Sequence, residues 1–355
     1  MDKNRIVYFD HLRVAAIVAV VVLHVSAQNW NEVDPISFQW NVFNIYNGLV
    51  RWCVPVLLMI SGPLFLKRDI PIKTLYSKYI LRLAIAYLVW SAFYAVLVPL
   101  GRTVLAGDPL PPLKLMIAYT IAGDLHTWFL PMIIGIYMCI PLIRQIVASK
   151  TTTRYFLILS FLFAFLLPQV IDLARDLLGE KYPSILLASG TLLSNMNMDM
   201  VTGYAFYFVL GYVLDDMVLT KKQRTIIYCL GVAGVLSSVG LNALVTWITQ
   251  APCSRYHRNS TVGVLLAAVC VHTWIKYRPH PNGKINSWIC KLSKYSFGAY
   301  LVHVLVMDEL ARAGLHSLCV TPVVAIPAIS LLIAIGSFAI SFVLNKIPAI
   351  RRWIV

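Results

Sequence analysis

The sequence predicts an all-α, polytopic integral membrane protein with about ten transmembrane helices and both termini in the cytoplasm. Of its 355 residues, 59% are apolar and only 13% are charged, and the mean hydropathy is +0.75. Soluble domains carry about a quarter charged residues. A membrane span needs about 20 apolar residues, because only a helix of that length satisfies its backbone hydrogen bonds across the hydrocarbon core. We therefore expect one transmembrane domain, residues 1–355.

Apolar runs between charged or Pro- and Gly-rich segments predict the helices in order. They lie near residues 11–28, 43–66, 77–98, 127–147, 154–172, 199–217, 225–248, 259–276, 294–311 and 322–345. The stretch 111–122 is too short to span and predicts an interfacial or re-entrant helix. The first run contains Asp10, Arg13 and His24, which a cleavable signal peptide would not, so we expect it to remain as a helix.

The formal net charge of +15 would raise the question of nucleic-acid binding in a soluble protein. Membrane topology explains this charge better, because Lys and Arg accumulate on the cytoplasmic side of membrane proteins. With the N-terminus inside, most cations fall in cytoplasmic segments. The outer segments contain Arg102, Lys114, Arg175, Lys181, Arg255, Arg258 and Arg312. We therefore expect cytoplasmic termini, a lipid bilayer as partner and no nucleic acid.

The seven cysteines lack the paired short spacing of a zinc site or a redox motif, so we expect no metal. Most are typical of apolar packing. Cys253 and Cys319 fall in predicted outer loops, where a disulfide can form.

The first helix carries two chemically active residues at different depths. Arg13 and His24 are about three helical turns apart and so share one face, with about 16 Å between them along the axis. Arg13 lies near the cytosolic surface and His24 in the outer half of the membrane. Intramembrane ionisable residues are functional candidates by default. The alternative is that His24 packs against a neighbouring helix and Arg13 reaches to the inner interface.

Further candidates occur in the next two predicted helices. The second carries Arg51 near its outer end and Ser61-Gly62-Pro63 near its inner end, where Gly and Pro loosen the backbone for packing or for a ligand. The third begins with Lys78 and Arg82, which are four residues apart and therefore share a face. Together with Arg13 these cations predict an anion site at the inner surface.

The fourth and ninth helices contain the segments 126–130 and 296–303. Trp128 is either a site residue or part of the aromatic belt at the interface. His303 at mid-membrane favours a functional role. In the outer loop, Arg255 belongs to a basic cluster that suits either an anionic or sugar-rich acceptor or lipid headgroups.

These residues resemble those of the bacterial membrane-bound acyltransferase 3 family, whose first helix carries an Arg, ten residues and then a His. The resemblance extends over nearly the whole chain. It includes Val54-Pro55, Ile60-Ser61-Gly62, Leu64-Phe65, the pair Lys78 and Arg82, the segment 126–130 with Tyr137 and Pro141, Leu210-Gly211-Tyr212, and the segment 296–303. Within the family, the compact form without a soluble domain is similar to the branch that O-acetylates enterobacterial common antigen.

The resemblance implies transfer of an acyl group, usually acetyl, from acyl-CoA to a hydroxyl of a cell-envelope glycan or lipid-linked sugar at the bacterial inner membrane. The implied catalytic residues are His24 and Arg13. The implied contacts to acetyl-CoA are Arg13, Ser61, Gly62, Lys78 and Arg82. We predict that the acceptor contacts Arg51, His126, Trp128, Asp199, Tyr300, His303 and Arg255.

Two questions stay open at the level of sequence. His24 can act as general base on the acceptor hydroxyl, or it can accept the acyl group and pass it on. A transporter or flippase for an anionic or polyprenyl-linked sugar would also use buried cations and histidines. An inverted repeat would favour transport, and the sequence contains none that we detect.

Overall fold

The computed structural model describes residues 5–178, 181–196, 198, 203–280 and 283–355, and within these ranges it contains helices and no β-strand. The α-helices are α1 (Val7–Ala27), α2 (Phe38–Val50), α3 (Cys53–Leu66), α4 (Ile72–Thr74), α5 (Leu81–Ala92), α6 (Val98–Ala106), α7 (Leu113–Ala122), α8 (Phe129–Met138), α9 (Ile140–Val147), α10 (Lys150–Ser160), α11 (Leu167–Leu178), α12 (Pro183–Asn195), α13 (Ala205–Asp216), α14 (Lys221–Thr249), α15 (Val262–Tyr277), α16 (Lys284–Ser293), α17 (Ser296–Arg312), α18 (Pro322–Leu344) and α19 (Pro348–Trp353). Three π-helical segments continue these helices, at Leu75–Ile80, Phe93–Leu97 and Phe161–Leu166.

Seven helical runs in the described ranges are long and apolar enough to cross a membrane. They are Val7–Ala27, Phe38–Leu66, Ile72–Ala106, Lys150–Leu178, Lys221–Thr249, Arg255–Tyr277 and Pro322–Leu344. The pair α8 and α9, bent by 60°, makes an eighth if it counts as one span. The all-α polytopic class is therefore confirmed. The remaining two predicted spans correspond to α13, with 12 residues, and α17, with 17, so a total of ten stays a prediction.

Helices α12 and α16 lie where the sequence predicted loops, and both are too short or too polar to be recognised as spans. In α16, the buried residues Asn286, Cys290 and Ser293 recur at helical spacing. Helix α7, in contrast, is the short apolar helix that the sequence predicted within 111–122. It packs against α5.

Polar side chains define where several helices begin. Thr220 and Gln223 form a capping box at the start of α14, in which each side chain accepts a hydrogen bond from the other residue's backbone N–H. Ser149 caps α10 in a similar way. These bonds satisfy N–H groups that have no partner within the helix. They occur in the short polar segments that separate the apolar runs, and α10 and α14 begin four residues before the predicted starts at 154 and 225.

Helix α1 is the centre of the bundle. It contacts α2, α3, α15, α16, α17 and α18. Buried residues occur all round it, including Leu12, Ala16, Val20 and Val25, so no side of this helix faces lipid along its whole length. A helix with this position can bring its polar residues to the interior of the protein, where Arg13 and His24 lie.

Helices α3 and α13 cross at very short range through two glycines. A Cβ atom on Gly62 would overlap the carbonyl oxygen of Phe208, and one on Gly211 would overlap the backbone of Met59. Small residues at helix–helix contacts in membranes allow backbones to approach closely. Gly62 therefore serves this crossing.

We expect Gly62→Ala to lower the free energy of unfolding by about 1–3 kcal/mol or more, because the added methyl meets backbone that cannot rotate away. Thermal unfolding of the purified protein in detergent measures the effect. Gly135→Ala in α8 is the matched control, since a Cβ there meets nothing within 4 Å. Equal stability of the two variants would contradict the close crossing.

The two ends of α14 offer a direct test of the predicted orientation. Exposed Lys222 lies just inside its N-terminal end, and exposed Ala251 follows its C-terminal end. In a cysteine-free background, we expect a cysteine at position 251 to react with an impermeant thiol reagent from outside, and one at position 222 only after the membrane is opened. The reverse pattern would overturn the cytoplasmic placement of the termini.

Cys253 and Cys319 are both free thiols, so the disulfide that their loops allowed is not formed. Cys253 is buried and its Sγ lies 3.4 Å from Oδ1 of Asn242, to which it donates. Cys319 is exposed.

Candidate active site

A cavity of about 380 Å³ opens between α1, α3, α5, α8 and α17. Its lining residues are Arg13, Ile17, Leu57, Ile60, Ser61, Leu64, Phe65, Tyr79, Arg82, Leu83, Phe129, Ile133, Tyr137, Phe297 and Tyr300. The lining contains two cations, Arg13 and Arg82, and the hydroxyl of Ser61, and its other members are apolar or aromatic. Pockets of this size and composition are typical of small-molecule sites. We call it the inner cavity.

Arg13 is held in place by polar groups at the start of α1. Its Nη1 donates to Oγ of Ser293 at 3.0 Å and lies 3.4 Å from Oδ1 of Asp10. The Asp10 carboxylate also accepts from Arg5 at 2.5 Å and from Ser293 at 2.6 Å. Because Arg13 also lines the inner cavity, its guanidinium group can bind an anion there.

Arg82 lies on the first turn of α5 and is exposed at the mouth of the inner cavity. Its Nη2 donates to the backbone oxygen of Val355 at 2.6 Å. The neighbouring Ile354 oxygen accepts from Nε1 of Trp90 at 3.0 Å. The segment after α19 therefore covers part of the mouth.

The structure separates the other three residues predicted to contact the donor. Ser61 lines the inner cavity, and its hydroxyl donates to the Leu57 carbonyl at 3.0 Å. Lys78 is exposed, lies over the Tyr79 ring and is not among the lining residues. It belongs to the π-helical segment, where the α-helical spacing that paired it with Arg82 does not apply. Gly62 faces α13 instead of the cavity.

A second, smaller cavity of about 80 Å³ adjoins the first one. Its lining residues are Val20, Leu23, His24, Arg51, Val54, Leu57, His126, Trp128, Phe129, Asn259 and Tyr300. Along α1, Arg13 and Ile17 line the inner cavity, whereas Val20, Leu23 and His24 line the smaller one. The two cavities therefore follow each other along the axis of α1. We call the second the outer cavity.

Of the two histidines that line the outer cavity, His24 has the ring that is less restrained by hydrogen bonds. Within the described ranges its nitrogens have no hydrogen-bond partner, and the side chain is partly accessible from the cavity. Its ring packs on that of His303, with centroids 5.1 Å apart. An imidazole nitrogen without a protein partner is available to a substrate hydroxyl or to an acyl carbon.

His126 is fixed in a turn before α8. Its Nδ1 lies 3.0 Å from the Asp124 carboxylate and its Nε2 lies 3.3 Å from the Leu301 carbonyl oxygen. These two contacts hold the ring in one orientation. Burial by itself would raise the pKa of the Asp124 carboxyl. The hydrogen bond and the electrostatic interaction with His126 outweigh burial, so this pKa lies below its ordinary value. Gly123, with a φ of 78°, allows the backbone turn that places this pair.

His303 lies behind the two cavity histidines. Its ring centroid is 5.1 Å from that of His24 and 5.3 Å from that of His126, and it lines neither cavity. Its Nδ1 is 2.5 Å from the Tyr300 carbonyl oxygen, while its buried Nε2 has no hydrogen-bond partner in the described part of the chain. Tyr300 lines both cavities, and its hydroxyl donates to the His126 carbonyl.

Of the remaining predicted acceptor contacts, two lie in the outer cavity. Arg51 sits between α2 and α3, where its Nε donates to Oδ1 of Asn47 at 2.6 Å. Trp128 packs on Tyr204, with ring centroids 5.6 Å apart. Arg255 lies elsewhere, paired with Asp176 beside α14. The predicted contact Asp199 falls outside the described residues.

Sequence reasoning missed Asp124, Asn259 and the apolar side chains shared by the two cavities. Asp124 is two residues before His126, a spacing that can hold a histidine ring from its own turn, so a local signal existed. The sequence contains no such signal for Asn259 or for Leu57, because the positions of these residues depend on how α3 and α15 pack against α1.

The two cavities bring arginine side chains, apolar walls and the His24 imidazole together beside α1, in that order. Such a set can bind an anionic, elongated donor and react at its far end. Within the described residues, no group of three or more His, Cys, Asp or Glu side chains is arranged to hold a metal ion.

A family model described as an acyltransferase domain, that of Acyl_transf_3, matches residues 6–346. The chain belongs to this family. The match covers nearly the whole chain and the lining residues of both cavities. The family resemblance deduced from the sequence is thereby confirmed, and with it membrane acyltransferase activity in general. No curated protein and no solved structure matches this acyltransferase significantly.

Proposed function

We propose that this membrane acyltransferase moves an acetyl group from cytosolic acetyl-CoA to a hydroxyl of a cell-envelope glycan or lipid-linked sugar, in the bacterial inner membrane. One observation carries the proposal. Two adjoining cavities follow each other along α1, with Arg13 and Arg82 lining the inner one and His24 lining the outer one. This order matches a donor that has phosphates at one end and a thioester at the other.

The inner cavity suits CoA chemically. Guanidinium groups bind phosphate through several charge-assisted hydrogen bonds, so Arg13 and Arg82 would hold the phosphates at the mouth. The wall beyond them is mostly apolar and includes Ile17, Leu64 and Ile133, which suits an uncharged pantetheine arm. Holding the phosphates would place the thioester at a defined depth, towards the outer cavity.

The reaction needs a group that takes the proton of the acceptor hydroxyl, and His24 is suited to this. The hydroxyl oxygen forms a bond to the acyl carbon, the bond from that carbon to the CoA sulfur breaks, and the proton passes through His24 to the thiolate. Arg51 lines the same cavity and would stabilise negative charge on the carbonyl oxygen.

In the alternative mechanism, a nitrogen of His24 carries the acyl group between the two substrates. Incubation with labelled acetyl-CoA without acceptor, followed by rapid quenching, separates the two mechanisms. Label bound to the protein at His24 supports the acyl intermediate, and its absence supports the general base.

The outer cavity would receive the acceptor hydroxyl. Asn259 and Arg51 provide hydrogen-bonding groups, and Trp128 an aromatic face, which together suit a sugar. The family resemblance of the sequence implies a cell-envelope glycan or a lipid-linked sugar as the acceptor. We therefore place the acceptor among the glycans of the cell envelope.

Radiolabelled acetyl-CoA tests the proposal. The purified protein is incubated with this donor and with candidate envelope glycans, and the label is traced by chromatography. We expect label in ester linkage on a glycan hydroxyl. Vesicles that move a lipid-linked sugar across the bilayer without incorporating label would favour the flippase instead.

A further inference from the structure

Three side chains separate the inner cavity from the outer cavity. Leu57 of α3, Phe129 of α8 and Tyr300 of α17 each line both cavities. They are the lining residues that the two cavities share. A group that moves from one cavity to the other must therefore pass between these three side chains, which we call the constriction.

Two members of the constriction are held by their neighbours. Tyr300 is 6% exposed, and its hydroxyl donates to the carbonyl of His126. The Phe129 ring packs edge-on against Tyr300, with centroids 5.9 Å apart. Leu57 has neither a hydrogen bond nor a ring contact from its side chain. It is therefore the member that can be shortened without disturbing the histidines behind the constriction.

The outer cavity has a much smaller volume than the inner cavity. At about 80 Å³ it has room for roughly five water-sized groups, against about 380 Å³ for the inner cavity. An acetyl group and the C–O group of an acceptor already use most of this space. Two further methylenes on the acyl group would have to displace the acceptor or push apart the constriction.

We infer that Leu57, Phe129 and Tyr300 determine the length of the acyl chain that this enzyme transfers, and that they select acetyl over longer chains. This rests on the proposed function, in which an acyl-CoA occupies the inner cavity. The constriction then lets the acyl group reach His24 while the pantetheine arm stays on the inner side. The specificity follows from the shape of the constriction, since none of the three side chains carries a charge.

Substitution of Leu57 tests the inference through the ratio of kcat/KM for butyryl-CoA to kcat/KM for acetyl-CoA. A close-fitting apolar pocket discriminates about 10–200-fold per methylene, so the wild-type ratio is expected to be low. We expect Leu57→Ala to raise this ratio at least about tenfold, because the shortened side chain widens the constriction and enlarges the outer cavity. Propionyl-CoA should give an intermediate ratio.

Leu64→Ala is the matched control. It is the same truncation, but Leu64 lines the inner cavity alone. Loss of that side chain is expected to affect every donor alike and to leave the ratio unchanged. Leu57→Val, which removes less volume, replaces Leu57→Ala if the alanine variant does not accumulate, and should raise the ratio in the same direction.

An unchanged ratio in a folded Leu57 variant that still transfers acetyl would overturn the inference and leave the proposed function standing. A wild-type enzyme with equal kcat/KM for butyryl-CoA and acetyl-CoA would also overturn the inference and leave the proposed function standing. If the wild-type protein transfers no acyl group from any CoA ester, the proposed function itself fails.

Discussion

Replacing His24 with alanine is expected to reduce the rate of acyl transfer by about 10²–10⁴-fold, the usual loss when a general base is removed. Loss of an acyl-carrying nucleophile would reduce it at least as much. Binding of acetyl-CoA should remain, because His24 lines the outer cavity and the cations for the phosphates lie at the inner one. Transfer of label from acetyl-CoA to the glycan and calorimetric titration with the donor measure the two effects.

The control for His24→Ala is His272→Ala. His272 is also a buried histidine, on α15, but it lines neither cavity. This variant shows how much activity is lost when a buried imidazole is removed elsewhere in the helix bundle. We expect it to keep most of the wild-type rate of acyl transfer. Folded His24→Ala protein that acetylates glycan at a near wild-type rate would disprove the assignment. The search would then move to His126 and His303.

Replacing Arg82 with alanine is expected to weaken acetyl-CoA binding by about tenfold to 150-fold, equivalent to about 1.5–3 kcal/mol for hydrogen bonds to a charged group. Arg82 is a better test than Arg13, which also bonds Ser293 and Asp10 at the start of α1. The dependence of binding on salt should fall as well, since one cation fewer faces the phosphates. Calorimetry at two salt concentrations measures both.

Lys78→Ala is the comparison for Arg82→Ala. The sequence predicted both residues as donor contacts, but Arg82 lines the inner cavity and exposed Lys78 does not. We expect the lysine substitution to change the donor's Kd less than threefold, about 0.6 kcal/mol on the scale of 1.4 kcal/mol per factor of ten. An Arg82→Ala protein with unchanged affinity would remove Arg82 from the donor site.

Hydrophobicity was sufficient to predict the class of fold. A run of about 20 apolar residues has few alternatives to a membrane helix, because its backbone groups must pair within the run. Hydrophobic runs do not reveal helices that are shorter or more polar. Helix α16 uses polar residues such as Asn286 and Ser293 to pack against the start of α1, so its buried face does not look apolar.

The site was predicted in part, for a similar reason. Arg13 and His24 stand out because an ionisable residue in an apolar helix is costly unless it has a function or a partner. Helical spacing and the family resemblance assigned Lys78 and Gly62 to the same site as Arg13. The π-helical segment moved Lys78 off the cavity, and the crossing with α13 occupied Gly62.

The sequence by itself determined that the chain is an all-helical membrane protein, and it identified Arg13 and His24 on one face of the first helix. Both conclusions depend on local properties, namely hydrophobicity and helical spacing, which are present in the order of the residues. Only the tertiary structure decided that His126 and His303 surround His24 and that Leu57, Phe129 and Tyr300 divide the space beside it into two cavities. These residues come from helices far apart in the chain, and their meeting depends on how those helices pack around α1.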